Sequence, residues 1–215
     1  MGKRVPDSER DRRLTGAEQR RYQQFLQQRQ ALLQAGYRET DLTISVGYAN
    51  MMALVLGLPV VLVLGLAFLV RGPWPGHFAP QGLLVFLALF LVLVVVHELI
   101  HGLFWGLVAP DRFRAIEFGL MVQYLTPYCC CKQPLGRMPY AVGALMPTLL
   151  LGVLPAAMAV VTGWLPLFLM GALMILAGGG DLCILLELWR YRPQTADAVY
   201  LDHPYLCGLV AFERL

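Results

Sequence analysis

The residues best suited to chemistry are the five from His97 to His101, which read His-Glu-Leu-Ile-His. They lie in a run from Gly82 to Val108 that is otherwise almost entirely Leu, Val, Phe and Ala. On a helix, side chains four residues apart share one face, so the imidazoles of His97 and His101 can reach one metal ion. Glu98 projects beside them, where it can take a proton from a metal-bound water. The spacing therefore predicts a metal site with a general base next to it.

The alternative for His97 and His101 is a pair of core histidines that bond to neighbouring carbonyl groups. An ionisable side chain in an apolar span is costly unless it faces protein, water or a metal. Two histidines at this spacing, with a glutamate between them, favour the metal site over that alternative.

The composition is typical of an integral membrane protein. Of 215 residues, 58% are hydrophobic and only 14% are charged, whereas soluble domains carry about 25% charged residues. Apolar segments predict an all-α bundle of about four transmembrane helices in a membrane-embedded domain over residues 48–215. The predicted spans cover about residues 48–70, 82–108, 140–163 and 167–189.

Residues 1–47 are polar and basic and are interpreted as a cytoplasmic arm. Thr15 and Glu18 have the spacing of a capping box at the start of an amphipathic helix, which we expect on the membrane surface or against the bundle. Acidic residues interleave with the basic ones, which favours a solvated arm over nucleic-acid binding. Because these residues do not resemble a signal peptide, we expect the first span to act as the insertion signal.

Lys and Arg are distributed unevenly among the segments that flank the spans. Nine lie before the first span, one between the first and second, four between the second and third, none before the fourth and three after it. Since positive charge is retained in the cytoplasm, both termini are expected there. His97 and His101 then lie about 22–28 Å from the outer edge of the bilayer, in its cytoplasmic third.

Asp181, in the fourth span, is the best candidate for the third protein ligand that a catalytic zinc site needs. Counted along the span, it lies about 21 Å in, at nearly the depth of the two histidines. It follows the glycines 178–180, which let another helix or a substrate come close. The alternative for Asp181 is a carboxylate satisfied by a hydroxyl or by a cation such as Arg192.

The tail offers Asp202, His203 and Pro204. His203 is the main rival of Asp181 as a ligand, or could polarise a substrate carbonyl, and a surface turn is an equally good interpretation of this segment. Asp202, His203 and Gly180 are therefore the candidates for a secondary or substrate site.

Residues 113–131, between the second and third spans, are too apolar for an ordinary loop and too interrupted for a span. They predict either a re-entrant β-hairpin beside the site or, equally, a packed amphipathic loop. An exposed strand edge there could pair with an unwound substrate segment. Cys129, Cys130 and Cys131 are interpreted as small apolar filler in preference to acylated thiols, since nothing indicates an activated thiolate.

Together these features resemble a bacterial family of integral-membrane zincin peptidases. The matching residues are the HExxH motif with Gly102, then Gly180 and Asp181, then Asp202, His203, Pro204 and Gly208. With the Tyr48-Ala49-Asn50 entry to the first span, the resemblance covers about residues 41–212. In broad plan the chain is also similar to site-2 protease, which has HExxH on one transmembrane helix and an Asp ligand on a later one. Asp181 follows three glycines, whereas that family has an Asn/Pro-containing segment.

The resemblance implies an intramembrane zinc metalloprotease of the bacterial plasma membrane, acting on membrane-associated protein or peptide substrates. His97, His101 and Asp181 would hold Zn²⁺, and Glu98 would move the proton. Two alternatives stay open: a zinc hydrolase acting on a lipid amide or ester, and a non-catalytic zinc-bound membrane scaffold. Glu98 argues against the scaffold, since a structural site has no use for that carboxylate.

Overall fold

The computed structural model describes residues 4–72, 80–121 and 126–214, with only the backbone of residues 80 and 81. The N-terminal segment forms a short helix α1 (Asp7–Arg10), a longer helix α2 (Gly16–Gln34) and a strand β1 (Tyr37–Asp41). The predicted capping box is present at the start of α2. The Glu18 N–H donates to the Thr15 hydroxyl at 3.3 Å, and the Thr15 N–H donates to the Glu18 carboxylate at 2.8 Å. Local sequence therefore determines where this helix begins.

Among the described residues, three helical segments are long and apolar enough to cross a membrane. They are α3 (Val46–Arg71), α4 (Pro80–Val108), and a composite of α5 (Arg137–Pro147), a π-helical turn (Thr148–Val153) and α6 (Leu154–Thr162). The predicted spans 48–70, 82–108 and 140–163 lie within these helices, except for the C-cap at Gly163. Many large apolar side chains of α3 and α4 are exposed, including Val63 and Leu84.

The predicted fourth span, residues 167–189, is not one continuous helix. It consists of α7 (Leu165–Ala177) and α8 (Gly179–Arg190), which meet at Gly178 at an angle of 46°. The part of the chain that the structure describes therefore has three candidate spans, or four if the bent pair crosses as one. Three consecutive glycines explain the break, because glycine is a poor helix former and leaves no side chain to brace the turn.

The prediction of a helical bundle holds in part, because the described residues are mostly helical but also contain two antiparallel sheets. Strands β2 (Ile116–Met121) and β3 (Thr126–Cys131) pair as a hairpin, as one of the two interpretations of residues 113–131 required. Residues 122–125, between the two strands in the sequence, lie outside the described residues. A four-stranded sheet has the order β1-β6-β5-β4, built with β4 (Leu135–Gly136), β5 (Ala198–Asp202) and β6 (Leu209–Arg214).

The four-stranded sheet connects the N-terminal segment and the C-terminal strands to the helical part of the molecule. β1 pairs with β6 from Tyr37↔Arg214 to Asp41↔Val210. Phe25 of α2 packs on the sheet in a small apolar cluster. A larger core joins α4, α5, α8 and the sheet through Trp105, Tyr140, Leu188, Tyr200 and Leu209. This core fixes α4 relative to α8, which carry the candidate site residues.

Candidate metal centre

Helix α4 presents His97 and His101 on one buried face, as their spacing predicts. The two residues are 6% and 3% exposed, and their ring centroids are 4.9 Å apart. Leu99 and Leu103, each two residues after one of the histidines, are 51% and 47% exposed. The histidines therefore face the protein interior, which is the orientation that an ionisable side chain in an apolar helix requires.

Asp181 lies in the first turn of α8, directly after the bend at Gly178. Its Oδ2 is 2.9 Å from Nε2 of His97 and 3.3 Å from Nε2 of His101. Among the described residues, these three form the one group of three or more histidine, cysteine or carboxylate side chains arranged to hold a metal ion. Two residues that are 84 positions apart in the chain, His97 and Asp181, are thus brought together.

The donor set fits a zinc ion. A tetrahedral ion with ligands at about 2.0–2.1 Å separates its ligand atoms by about 3.3 Å, close to the two distances from Asp181. Nδ1 of His101 donates to the Gly143 carbonyl at 2.9 Å, so a neutral ring has its lone pair on Nε2. That lone pair faces an oxygen of the partly buried Asp181 carboxylate at 3.3 Å, and a metal ion bound by both atoms would satisfy the two acceptors. A ligating histidine held through its other nitrogen is the usual arrangement.

Two residues that contact His101, Trp105 and Gly143, were not among the site residues predicted from the sequence. Trp105 stacks on the imidazole with ring centroids 5.0 Å apart, and its Nε1–H donates to the Tyr140 carbonyl at 3.1 Å. A Cβ on Gly143 would lie 2.1 Å from that Nε1. Glycine at 143 therefore lets α5 approach α4 closely enough to reach His101. Trp105 could have been found, because it continues the four-residue spacing of His97 and His101, whereas Gly143 has no local signal.

The glycines before Asp181 differ in what they permit. A Cβ on Gly179 would lie 2.2 Å from the Cβ of Ala53, so this glycine allows close packing of α8 on α3. A Cβ on Gly180 would meet nothing within 4 Å. Gly180 lines a cavity that lies next to Asp181 and the two histidines. Close helix contact therefore involves Gly179, while Gly180 leaves space on the cavity side of Asp181.

A cavity of about 390 Å³ lies over the cluster and contains Glu98 in its wall. Apolar side chains including Val94, Met121 and Met174 form much of the rest. The Glu98 carboxylate is within hydrogen-bonding reach of the Cys129 backbone N–H on β3. The glutamate of the motif is thus beside the candidate ligands, on the wall of a space large enough for part of a substrate.

Asp202 and His203 line the same cavity but lie outside the cluster. Asp202 accepts hydrogen bonds from the Tyr140 hydroxyl at 2.5 Å and from the Cys131 N–H at 2.8 Å, while burial raises its pKa to about 6. Nδ1 of His203 accepts from the Leu206 N–H at 3.0 Å, and burial lowers the pKa of this ring to about 4. Both side chains hold the 202–208 segment in place.

The three consecutive cysteines form part of β3. Burial raises the pKa of the Cys129, Cys130 and Cys131 thiols, the last to about 12, so all three are protonated at neutral pH. Protonated thiols are poor nucleophiles and poor metal ligands. Their surroundings accord with the interpretation as apolar filler, which stays a prediction.

The comparisons with known proteins give one match. The model of a family described as "putative zincin peptidase" matches residues 90–196, a stretch that contains the motif and Asp181. No curated protein and no solved structure matches the chain. The similarity to site-2 protease therefore has no support from these comparisons and stays a prediction.

Proposed function

Because residues 90–196 belong to the putative zincin peptidase family, we propose that the chain is an intramembrane zinc metalloprotease. Its substrates would be membrane-associated proteins, cleaved near the cytoplasmic face. The observation that carries the proposal is the convergence of three ligand atoms within 4.8 Å, beside Glu98 and a cavity. A structural zinc site has four protein ligands, and three with an adjacent carboxylate is the catalytic pattern.

In the proposed mechanism, His97, His101 and Asp181 hold the zinc ion. When bound, zinc supplies a Lewis acid that polarises the substrate carbonyl and lowers the pKa of water. Glu98 takes the proton of the attacking water and passes it to the nitrogen of the leaving amine. The Gly143 carbonyl and the Trp105 ring keep His101 in its orientation. Trp105, Met174 and other apolar side chains line the cavity.

The exposed apolar surfaces of α3 and α4 support a position within the bilayer. On a soluble protein, apolar patches this extensive would be unusual. The uneven distribution of Lys and Arg supports cytoplasmic termini, while the proposed location in a bacterial plasma membrane rests on the family resemblance. In that orientation the metal cluster lies in the cytoplasmic third of the bilayer, from where water has a short path to the cavity.

Strand β3 is the proposed support for an unwound substrate segment. One of its edges pairs with β2. On the other edge, the N–H groups of Cys129 and Cys131 donate to the carboxylates of Glu98 and Asp202. Because both carboxylates line the cavity, this second edge of β3 faces the cavity. A peptide must leave the helical conformation to be cleaved, and an extended segment along this edge would pass beside Glu98.

Hydrolysis by the purified full chain tests the proposal. Wild type, Glu98→Gln and Glu39→Gln are compared on a library of membrane peptides, with bound zinc measured in parallel. Glu39 is the matched control because it lies on β1 in an ion pair with Arg29, away from the cavity. We expect wild type and Glu39→Gln to cleave, and Glu98→Gln to bind zinc without cleaving.

Three results would count against the peptidase. Cleavage of lipid amides or esters without cleavage of peptides would favour the lipid hydrolase. Bound zinc with no hydrolysis of either substrate class would favour the scaffold. Undiminished peptide cleavage by Glu98→Gln would remove Glu98 from the mechanism.

A further inference from the structure

Two buried polar atoms beside the metal cluster have no hydrogen-bond partner among the residues that the structure describes. They are Nδ1 of His97 and Oγ1 of Thr148. The two residues are 6% and 2% exposed, so bulk water satisfies neither atom. Buried polar atoms are nearly always paired, and an unpaired one in a native structure needs an explanation.

Thr148 differs from the other threonine of the third apolar helix. A helical threonine commonly bonds the carbonyl three or four residues before it. Thr162 does so, with its hydroxyl 3.1 Å from the Met158 carbonyl. Thr148 makes no such bond and stands at the first residue of the π-helical turn. Single π-helical turns inside helices recur at functional sites.

Gly178 brings the two unpaired atoms to the same place. A Cβ on Gly178 would lie 2.1 Å from Oγ1 of Thr148 and 3.3 Å from Cε1 of His97, the ring carbon between the two nitrogens. The Thr148 hydroxyl therefore occupies the place that a side chain at residue 178 would take, next to the His97 imidazole and beside the bend between α7 and α8. This close approach is possible because residue 178 has no side chain.

We propose that Thr148 is a positioning residue for His97, an inference that rests on the proposed role of His97 as a metal ligand. When Nε2 of His97 is the ligand, the ring proton must be on Nδ1. The two atoms are not hydrogen-bonded directly in the structure, so the Thr148 oxygen accepts this proton across one bridging water. The bond fixes the tautomer and the ring orientation, as the Gly143 carbonyl does for His101 at 2.9 Å. Both acceptors come from the same composite helix.

Zinc affinity of the purified full chain tests this role, with Zn²⁺ alone as the probe and a competing chelator as the reporter. Thr148→Val keeps the side-chain shape and removes the hydroxyl, and we expect zinc to bind about 10–100-fold more weakly. Thr148→Ser restores the hydroxyl and should restore the affinity. Thr162→Val is the matched control and should bind zinc as wild type does.

A second readout separates positioning from a structural role. In the metal-free protein the Thr148 hydroxyl is unpaired, so Thr148→Val should unfold at the same temperature as metal-free wild type or higher. The visible spectrum of the Co²⁺-loaded protein should change in Thr148→Val and stay unchanged in Thr162→Val. Equal zinc affinities of Thr148→Val and Thr162→Val would overturn the inference. So would a lowered unfolding temperature of metal-free Thr148→Val together with an unchanged Co²⁺ spectrum.

The two proposals fail in different ways. If wild type binds zinc with the expected dependence on Thr148 but hydrolyses no peptide, the positioning role stands and the peptidase does not. If wild type binds no zinc, both proposals are overturned.

Discussion

Two pairings of a histidine with an aspartate border the same cavity, and they differ in which atoms are already in use. In the metal cluster, Nδ1 of His101 makes the hydrogen bond to the Gly143 carbonyl, so the lone pair on Nε2 of the neutral ring faces the carboxylate of Asp181. In the tail, both oxygens of Asp202 accept hydrogen bonds, and Nδ1 of His203 accepts from backbone N–H groups. A neutral His203 therefore has its proton on Nε2 and no lone pair to offer. Residue type alone therefore does not identify a metal ligand. The hydrogen bonds that the side chain already makes decide whether it has a lone pair left for a metal.

The largest expected effect that separates the two pairings is on zinc content. His101→Ala removes one of three ligands, so we expect the purified protein to lose bound zinc. His203→Ala removes a ring that only holds a turn, and should keep the zinc content of wild type. Elemental analysis after gel filtration with a weak chelator measures both. Equal loss of zinc in the two variants would show that the tail takes part in the metal site.

A matched pair of aspartate variants tests the same difference with substitutions that preserve the size of the side chain. Asp181→Asn removes the negative charge of a proposed ligand. The zinc affinity should therefore fall by more than the roughly 10–100-fold loss that is typical when an outer-shell partner is replaced. Asp202→Asn should leave the affinity unchanged but lower the free energy of unfolding by about 1–3 kcal/mol, because an amide cannot accept on both sides. Chelator competition and thermal unfolding provide the two measurements. A loss of affinity confined to Asp202→Asn would reverse the assignment.

The smallest expected effect is the pH dependence of the tail. Burial lowers the pKa of His203 from its usual value near 6.5 to about 4 in the folded protein. The stabilisation from the neutral ring is present above pH 6.5 and is lost as the pH falls towards 4. Partial exposure limits the effect to roughly 2 kcal/mol.

Hydrogen exchange of the Tyr205 and Leu206 amides should accelerate over the pH range from 6.5 to 4 beyond the intrinsic pH dependence of exchange. His203→Asn keeps an oxygen acceptor that does not titrate and should remove the additional acceleration. If wild type and His203→Asn showed the same pH profile, protonation of His203 would not control this segment.

The same contrast explains what the sequence could predict. Long apolar runs determined α3, α4 and the third helical segment, because length and hydropathy are local properties. The placement of Asp181 near the histidines followed from counting residues along the predicted spans. The sheet could not be foreseen in the same way, because β1 and β6 pair across almost the whole chain and strand pairing depends on distant partners.

The bend in the fourth span had a visible signal in the three glycines, but its direction depends on packing. Gly178 borders Thr148, and Gly179 packs against Ala53. Both contacts come from other helices and are invisible in a local pattern. The hydrogen bond from His101 to the Gly143 carbonyl is likewise a long-range contact with no signal at residue 143.

X-ray absorption at the zinc edge of the purified wild-type protein tests whether His97, His101 and Asp181 bind the metal. We expect one zinc ion per chain with nitrogen and oxygen ligands at about 2.0–2.2 Å, including two imidazoles. His97 and His101 would supply the imidazoles, and Asp181 would supply an oxygen. Sulfur ligands at about 2.3 Å would assign the metal to the cysteines of β3 instead. That result, or a protein that binds no zinc, would contradict the proposed metal site.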